Sequence, residues 1–586
     1  MPATASGDTI ELIIAPASVP AVMRTLRDDA DLSYEILADI CGVDTGLTMQ
    51  VVYHLWSPLS SDWLRIIADG LSRDDPRVPS IAFLWTGAEW GEREAYDMFG
   101  ILFEGNRDLR RIYMPPDYLA FPLRKDFALA DDASRGPGEG IRHMELPHRP
   151  AEVRNVAAVR TSPGTGAVIG PDGARRGLAV TSEQTRIRSL DDPEVLVQTP
   201  ATIYDTIPPL TPRTEREAEF YTLGDGEMFV NLGPQHPSTH GVLRVVLKID
   251  GERIVDLDPV LGYLHRGVEK ICENGDWHHA ISNCDPLEYV ASMFSEALPV
   301  LAAEQLLGLE VPRRADHIRV LAWELNRISS HALFIGWLAL DLGGLTPILY
   351  GFIERDEIVE MLAALTGQRL LFNYLRIGGV NGDLNHEFLS RLGDWMGRAG
   401  KHIDEQATLM NESEIFVNRT KGLGRIDRQT ALRLSMSGPP LRASGVPYDV
   451  RRAHPYSVYP ELDFDIPIRS DGDSYARYLL HIAEIKQSLR IIDQVLHQMP
   501  DGPVMAKLPR LLRIPPGRAF IALESPRGQY AAYAISDGTD QPFRFRIHDP
   551  SYFNLQAVGL LTPGHLVADI MAIMASLDPI MGGIDK

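Results

Sequence analysis

Apolar and polar residues alternate in two early stretches, "TIELIIAP" (9–16) and "TMQVVYHLW" (48–56), and both predict strands. A loop-rich end follows, so residues 1–130 read as a small α/β domain. The period is then lost. Between 131 and 213 the chain offers "ASRGPGEG", "TSPGTGAVIGPDGARRG" and "TIPPLTPRT", which predict a Pro/Gly-rich linker lying extended on a surface. Periodicity returns over 214–586. Leu243, Val245, Leu247 and Ile249 alternate, and Asp250-Gly251 is a two-residue turn signal, so a hairpin is expected. Helices then dominate. "DPLEYVASMFSEAL" predicts a helix with Asp285 as N-cap, Pro286 at the first position, Glu288 at the third and Tyr289 in the first turn. Val290, Met293, Phe294, Ala297 and Leu298 supply its apolar stripe. A second stripe runs through Ile318, Leu321, Leu325, Ile328 and Ala332. A further helix starts at Thr346-Pro347 and ends at Gly367. The tail carrying "SDGTDQPFRFRIHDPSY" is richer in strands. The expected fold is an α+β multidomain chain: a small α/β N-terminal domain, a long linker, then mainly a helical bundle with peripheral β strands.

The stretch "HALFIGWLALDLGGLTPILYGF" (331–352) has the length of a membrane span, but Asp341, Gly343, Gly344 and Pro347 interrupt it. An Asp at bilayer centre costs about 3 kcal/mol. Two buried helices meeting at a Gly-Gly break fit better. A length of 586 residues exceeds one core. The formal net charge of −22 argues against general nucleic-acid binding, which needs excess Lys and Arg. Cys41, Cys272 and Cys284 have no CxxC spacing, so neither a disulfide framework nor a Cys-rich metal site is expected, and a reducing cytoplasm fits. The start "MPATASGDTIELIIAP" lacks the basic-then-apolar pattern of an export signal. In "GTGAVIG" (164–170) the last Gly comes one residue late for a dinucleotide fingerprint, and Pro163 precedes it. No NADH site is expected in this chain.

Candidate chemistry begins with "NLGPQHPSTHGVLR" (231–244), where His236 and His240 stand four residues apart. On a helix that spacing binds zinc, but Pro237 and the flanking glycines forbid the helix. A metal site, a catalytic base and a ligand partner stay open, and spacing alone favours a turn histidine bonded to backbone. Tyr289, taken alone, is a packing residue with its hydroxyl at the rim. Asp341 ends a nearly all-apolar helix, where a carboxylate is expensive unless paired. Facing a His, it would raise the His pKa and make a better proton carrier. Arg266, Glu269 and Lys270 in "LHRGVEK" read as a solvated ion-pair face. The stretch 91–127 interleaves charges with aromatics, and Arg110, Arg111, Arg124 and Lys125 form a basic patch suited to a protein–protein surface.

Together these stretches resemble respiratory complex I, the proton-pumping NADH:quinone oxidoreductase. "EREAYDMFGILFEG" through "PLRKDF" is similar to its 30 kDa (C-type) subunit. "GPQHPSTHGVLR", "GYLHRGVEK", "RIGGV", "YDVRRAHPYSVY" and "SDGTDQPFRFRIHDPSYFNLQ" are similar to its 49 kDa (D-type) subunit. The resemblance covers about 8–130 and 220–586 and implies the bacterial fused C/D subunit. It implies that His240 and Tyr289 hold a quinone headgroup, that Asp341 pairs with His240, and that His236 and Arg266 support the site. A His N–H and a Tyr O–H can bond a carbonyl oxygen and can both donate protons, as reduction of a quinone requires. It also implies a fold like the large subunit of nickel–iron hydrogenases. "GYLHRGVEKICEN" and "LDPIMGGIDK" lack the Cys pairs that hold nickel and iron there, so no metal is expected on this chain. Electrons would come from an iron–sulfur cluster in the adjacent B subunit. The implied partners are the B, I and G subunits, the H and A membrane subunits, and quinone, with no nucleic acid. The implied location is peripheral, on the cytoplasmic side of the bacterial inner membrane.

Two positions depart from the family pattern. Pro286 stands where Arg is common, and Leu371 where His is common; both are expected near the terminal cluster. Losing a cation and a titratable group should lower that cluster's potential and weaken its pH dependence. The alternatives are a non-catalytic hydrogenase-like scaffold and the same subunit in a complex fed by a donor other than NADH.

Overall fold

The computed structural model describes residues 3–6, 9–127, 160–161, 167–169, 175–177, 214–236 and 241–586. The chain divides into two units. One comprises Met1–Met114, Phe121–Lys125 and Leu223–Lys586; the other comprises Pro115–Ala120 and Asp126–Thr222. In the second unit, Arg160–Thr161, Ala167–Ile169 and Arg175–Gly177 pair as a small antiparallel sheet, and a helix spans Glu215–Tyr221. The surface path expected for the linker, the glycines of "GTGAVIG" and His240 lie outside the described residues.

The larger unit begins with a five-stranded sheet. Its strands are β1 (Ala3–Ser6), β2 (Thr9–Ile14), β3 (Ile36–Asp44), β4 (Met49–Trp56) and β5 (Trp63–Leu71), in the order β1-β2-β5-β4-β3. Helix α1 (Val19–Asp28) connects β2 to β3, and only the β2–β5 pair is parallel. The two stretches read as strands are β2 and β4. Strand β3 is buried along its whole length although it is an edge. Helix α2 (Ala88–Phe99) covers one face, so closely that a Cβ at Gly42 would come within 2.5 Å of Phe99. The exposed ladder groups of an edge strand must be paired or covered. Here the C-terminal part of the chain does it: Arg544 Nε donates to Gly42 O at 3.2 Å, and Gln529 Nε2 to Ala38 O at 3.4 Å.

A second antiparallel sheet holds β6 (Glu227–Leu232), β7 (Arg244–Asp250) and β8 (Arg253–Val260). Leu243, Val245, Leu247 and Ile249 are buried as their alternation requires. The hairpin turn is Gly251-Glu252, one residue later than expected, because Asp250 still pairs with Arg253 and Gly251 takes the left-handed φ of +57°.

The region of 285 departs further from expectation. Helix α3 (Trp277–Cys284) gives way to a 3-10 turn at Asp285–Glu288, and α4 (Ser292–Leu307) starts only at Ser292. Asp285 is therefore the C-cap of α3 and the N-cap of no α-helix, and Tyr289 lies between elements. Pro286 has no N–H to carry an α-helical ladder, and the carboxyls of Asp285 and Glu288 are taken up by distant partners. Helix α4 is buried on every side through Val300, Glu296 included.

Helix α5 (Arg313–Asp341) carries the second stripe in the core. Helix α6 (Leu345–Thr366) follows Gly343, at φ +88°, and stops at Gly367. The two-helix reading of 331–352 holds, but α6 is not buried. Leu345, Leu349, Tyr350, Phe352 and Ile353 are all exposed, while the opposite face packs through Ile348, Ile358 and Leu362. Among the described residues no helix is long and apolar enough to cross a membrane. Helix α7 (His386–Asn411) and helix α8 (Ser474–Gln498), capped by Asn385 and Asp473, complete the bundle. A third antiparallel sheet, β9 (Gly517–Ser525), β10 (Gly528–Ser536) and β11 (Arg544–His548), packs beside it.

The stretch expected as a protein–protein surface and the one expected as a solvated ion-pair face are both engaged within this chain. The basic patch of 91–127 meets this chain's own C-terminal part. Arg110 grips Asp258 with two bonds of 2.8 and 2.9 Å, Lys125 Nζ lies 2.7 Å from Glu273, and Arg124 Nε donates to Phe99 O. In "LHRGVEK" Arg266 is exposed, but Glu269 and Lys270 are buried. Glu269 pairs with Arg544 at 2.7 Å, and Lys270 donates to Arg124 O at 2.9 Å.

Candidate functional site

Tyr289 follows the 3-10 turn and is half-buried. Burial, then the neighbouring Glu288 charge, pushes its phenol up to about 12, so it stays protonated and able to donate. Met581 N–H bonds the phenol oxygen. The C-terminal segment can approach because Gly582 has no side chain: a Cβ there would lie 2.6 Å from Leu287 O and 3.2 Å from Tyr289 Cδ1.

Behind Tyr289 stands a carboxyl cluster around one guanidinium. Arg527 Nη1 donates to Glu288 Oε1 at 2.9 Å and to Ser330 Oγ at 2.9 Å; its Nη2 reaches Asp578 Oδ1 at 3.2 Å. All four of these side chains are buried. One cation cannot compensate every carboxylate here, so the cluster keeps protons. Burial outweighs Arg527 and pushes Glu288 up to about 8 and Asp578 to about 6. Nearby Asp549 is also pushed to about 6 by burial. Oε2 of Glu288 has no hydrogen-bond partner, whereas Oδ2 of Asp578 is also 3.2 Å from Arg527 Nη2.

Arg527 thus ties the Tyr289 turn to α5 at Ser330. Asp341 ends the same helix, roughly 11 residues and about 16 Å further along its axis. It is partly buried. Tyr289 and Asp341 are therefore supported separately, by the Arg527 anchor and by the helix end. His236 is partly buried on the loop after β6, and Arg266 is exposed beside the 265–267 turn.

Next to Ser330, His331 Nε2 lies 3.0 Å from Glu484 Oε2, and Arg442 bonds both Glu484 and Glu524 at 2.7 Å. Burial holds His331 below its ordinary value, so it is a neutral imidazole donating to an ionised Glu484. Sequence reasoning missed this network and the Arg527 cluster. Glu288 and Arg527 are 239 positions apart, and no local spacing links them. Among the described residues no group of three or more His, Cys, Asp or Glu side chains is arranged to hold a metal ion.

The family model described as "Respiratory-chain NADH dehydrogenase, 30 Kd subunit" matches residues 12–133, and that for the "49 Kd subunit" matches 341–512 and 510–586. The D subunit of NADH-quinone oxidoreductase from Geobacillus thermodenitrificans (strain NG80-2) is 45% identical over 360 residues, covering 61% of this chain and 98% of that protein. The D subunit from Dehalococcoides mccartyi (strain ATCC BAA-2266 / KCTC 15142 / 195) is 46% identical over 362 residues, covering 61% and 99%. The two matches define the class: a chain that joins two respiratory-chain subunits end to end. The C/D subunit of NADH-quinone oxidoreductase from Acidiphilium cryptum (strain JF-5) is 35% identical over 603 residues, covering 97% of this chain and 92% of that protein. The chain belongs to the family of C/D subunits of NADH-quinone oxidoreductase.

Proposed function

We propose that this chain forms the wall of the quinone-reducing site in a proton-translocating NADH:quinone oxidoreductase. Residues 1–130 are the C-like domain, 131–213 the linker and 214–586 the D-like domain with a hydrogenase-like fold. His240 and Tyr289 bond the quinone headgroup, Asp341 compensates His240, and His236 and Arg266 support the loop. Electrons reach the quinone from an iron–sulfur cluster on the adjacent B subunit. The I, G, H and A subunits complete the assembly on the cytoplasmic face of the inner membrane, and NADH is oxidised on another chain.

The observation that carries this reading is the state of Tyr289. A half-buried, protonated phenol, bonded by Met581 N–H and carried on a turn that Arg527 anchors through Glu288, is a positioned donor for a carbonyl oxygen. Purified complex carrying Tyr289→Phe tests it. Quinone reduction should fall by about 10²–10⁴ with KM raised, the range for a lost proton donor, while NADH oxidation by an artificial acceptor is unchanged. Wild-type quinone kinetics in that variant would favour the scaffold reading.

A further inference from the structure

The carboxyls of Asp285 and Glu296 are hydrogen-bonded to each other in the interior, where the two residues are 4% and 0% exposed. Neither Asp285 Oδ1 nor Glu296 Oε1 is reached by an N–H or hydroxyl donor. Two carboxylates cannot bond each other unless one carries a proton. Four successive backbone amides of one loop gather here, three on the carboxyl pair and the fourth on the neighbouring Ser292. Tyr374 N–H and Leu375 N–H donate to Glu296 Oε2 at 2.7 and 2.9 Å, Asn373 N–H bonds Asp285, and Phe372 N–H reaches Ser292 Oγ at 3.3 Å. The Ser292 hydroxyl in turn bonds Asp285. Such a nest of amides suits one negative charge, not two.

The loop needs holding. Leu371 and Asn373 both sit at left-handed φ, +56° and +43°, which side chains other than Gly adopt at a cost. The charged group facing the pair from the loop is Arg376, whose Nη1 is engaged with Asn373 O and Leu375 O at 2.8 Å each. Tyr374 turns its hydroxyl away to Gly382 O, and Glu288, on the same turn as Asp285, is bound to Arg527.

We propose that Asp285 and Glu296 bind a single proton between them and act as a proton-dependent clamp on the loop 371–376. With the proton present, the pair carries one charge, which the amides compensate. Loss of the proton puts a second negative charge into the same cradle, the carboxyls repel, and the loop is released. Burial, opposed by these hydrogen bonds, pushes Asp285 up to about 6 and Glu296 well above the usual carboxylate range, so release falls on the alkaline side. Both are positioning residues, and the proposal stands apart from the quinone assignment.

Hydrogen exchange of the 371–376 amides in the purified complex, corrected for the intrinsic pH dependence of exchange, is the test. In the wild type, protection should fall at least about tenfold on going from neutral to alkaline pH, the effect of one pKa unit of coupling. Asp285→Asn, whose amide donates to Glu296 without titrating, should hold protection flat; Glu296→Gln should do the same if the first variant does not assemble. Infrared spectra of the wild type at neutral pH should show a protonated carboxyl band that either substitution removes. Flat wild-type protection, an equal fall in the variants, or no such band would overturn the proposal.

Discussion

Arg546 Nη2 lies 3.0 Å from Asp39 Oδ1, joining the last strand of the third sheet to the edge strand of the first. Both side chains are buried, and Arg546 also bonds Glu94. Burial alone would raise Asp39, but Arg546 and His548 outweigh it and hold the carboxyl well below its ordinary range.

Removing one partner of a buried pair leaves an uncompensated charge. Asp39→Asn should cost about 3–5 kcal/mol, read as lowered thermal stability of the purified complex. The pH dependence has a definite sign. A depressed carboxylate contributes stability above its unfolded value, about 4, and loses it as the pH falls below that. The variant should lack this part of the acid dependence.

Glu288 has the opposite sign. Its folded value, about 8, is raised, so the folded chain keeps a proton that the unfolded chain has already lost. Its contribution declines as the pH rises from about 4.3 towards that folded value. Glu288→Gln keeps an acceptor for Arg527 and cannot ionise. Unfolding followed against pH should be flatter in the variant. Quinone turnover should lose an alkaline limb centred near the same value; an unchanged profile would show that Glu288 does not control Tyr289.

Asp341→Asn removes the charge proposed to compensate His240, a charge left unbalanced once His240 gives up its proton. Proton pumping per electron should fall, measured in vesicles against quinone turnover in the same preparation. Undiminished pumping with normal turnover would reject that role.

Pro286→Arg with Leu371→His introduces the cation and the titratable group that the resemblance leads one to expect at these positions. A redox titration of the complex should then give a higher-potential terminal cluster with stronger pH dependence. Leu371 already occupies the left-handed region, where His is less costly than most side chains, so the second change should not disturb the loop.

Much of the architecture is legible in the sequence because it rests on local period: β2, β4, the β7–β8 hairpin, and the ends of α5 and α6 at Asp341 and Gly367. The interior charges are not. Nothing in a short window shows that Glu269 and Lys270 are buried or that Arg110 and Lys125 are half-buried in ion pairs; only the meeting of distant segments does that. The break at 285–291 is hidden for a related reason. Asp285 and Pro286 suit a helix start, but Asp285 and Glu288 are recruited by Glu296 and Arg527, and tertiary bonds override the local signal. Of the candidate site, the resemblance picks out Tyr289 and Asp341. The Glu288–Arg527–Asp578 brace follows from no spacing at all.

Helix α6 has a practical consequence. Leu345, Leu349 and Ile353 recur every fourth residue beside Tyr350 and Phe352, a greasy stripe facing water in the lone polypeptide. Overexpressed without companions, the chain should self-associate and need detergent or co-production to stay in solution. Cells making it have reason to couple its synthesis to whatever shields that stripe.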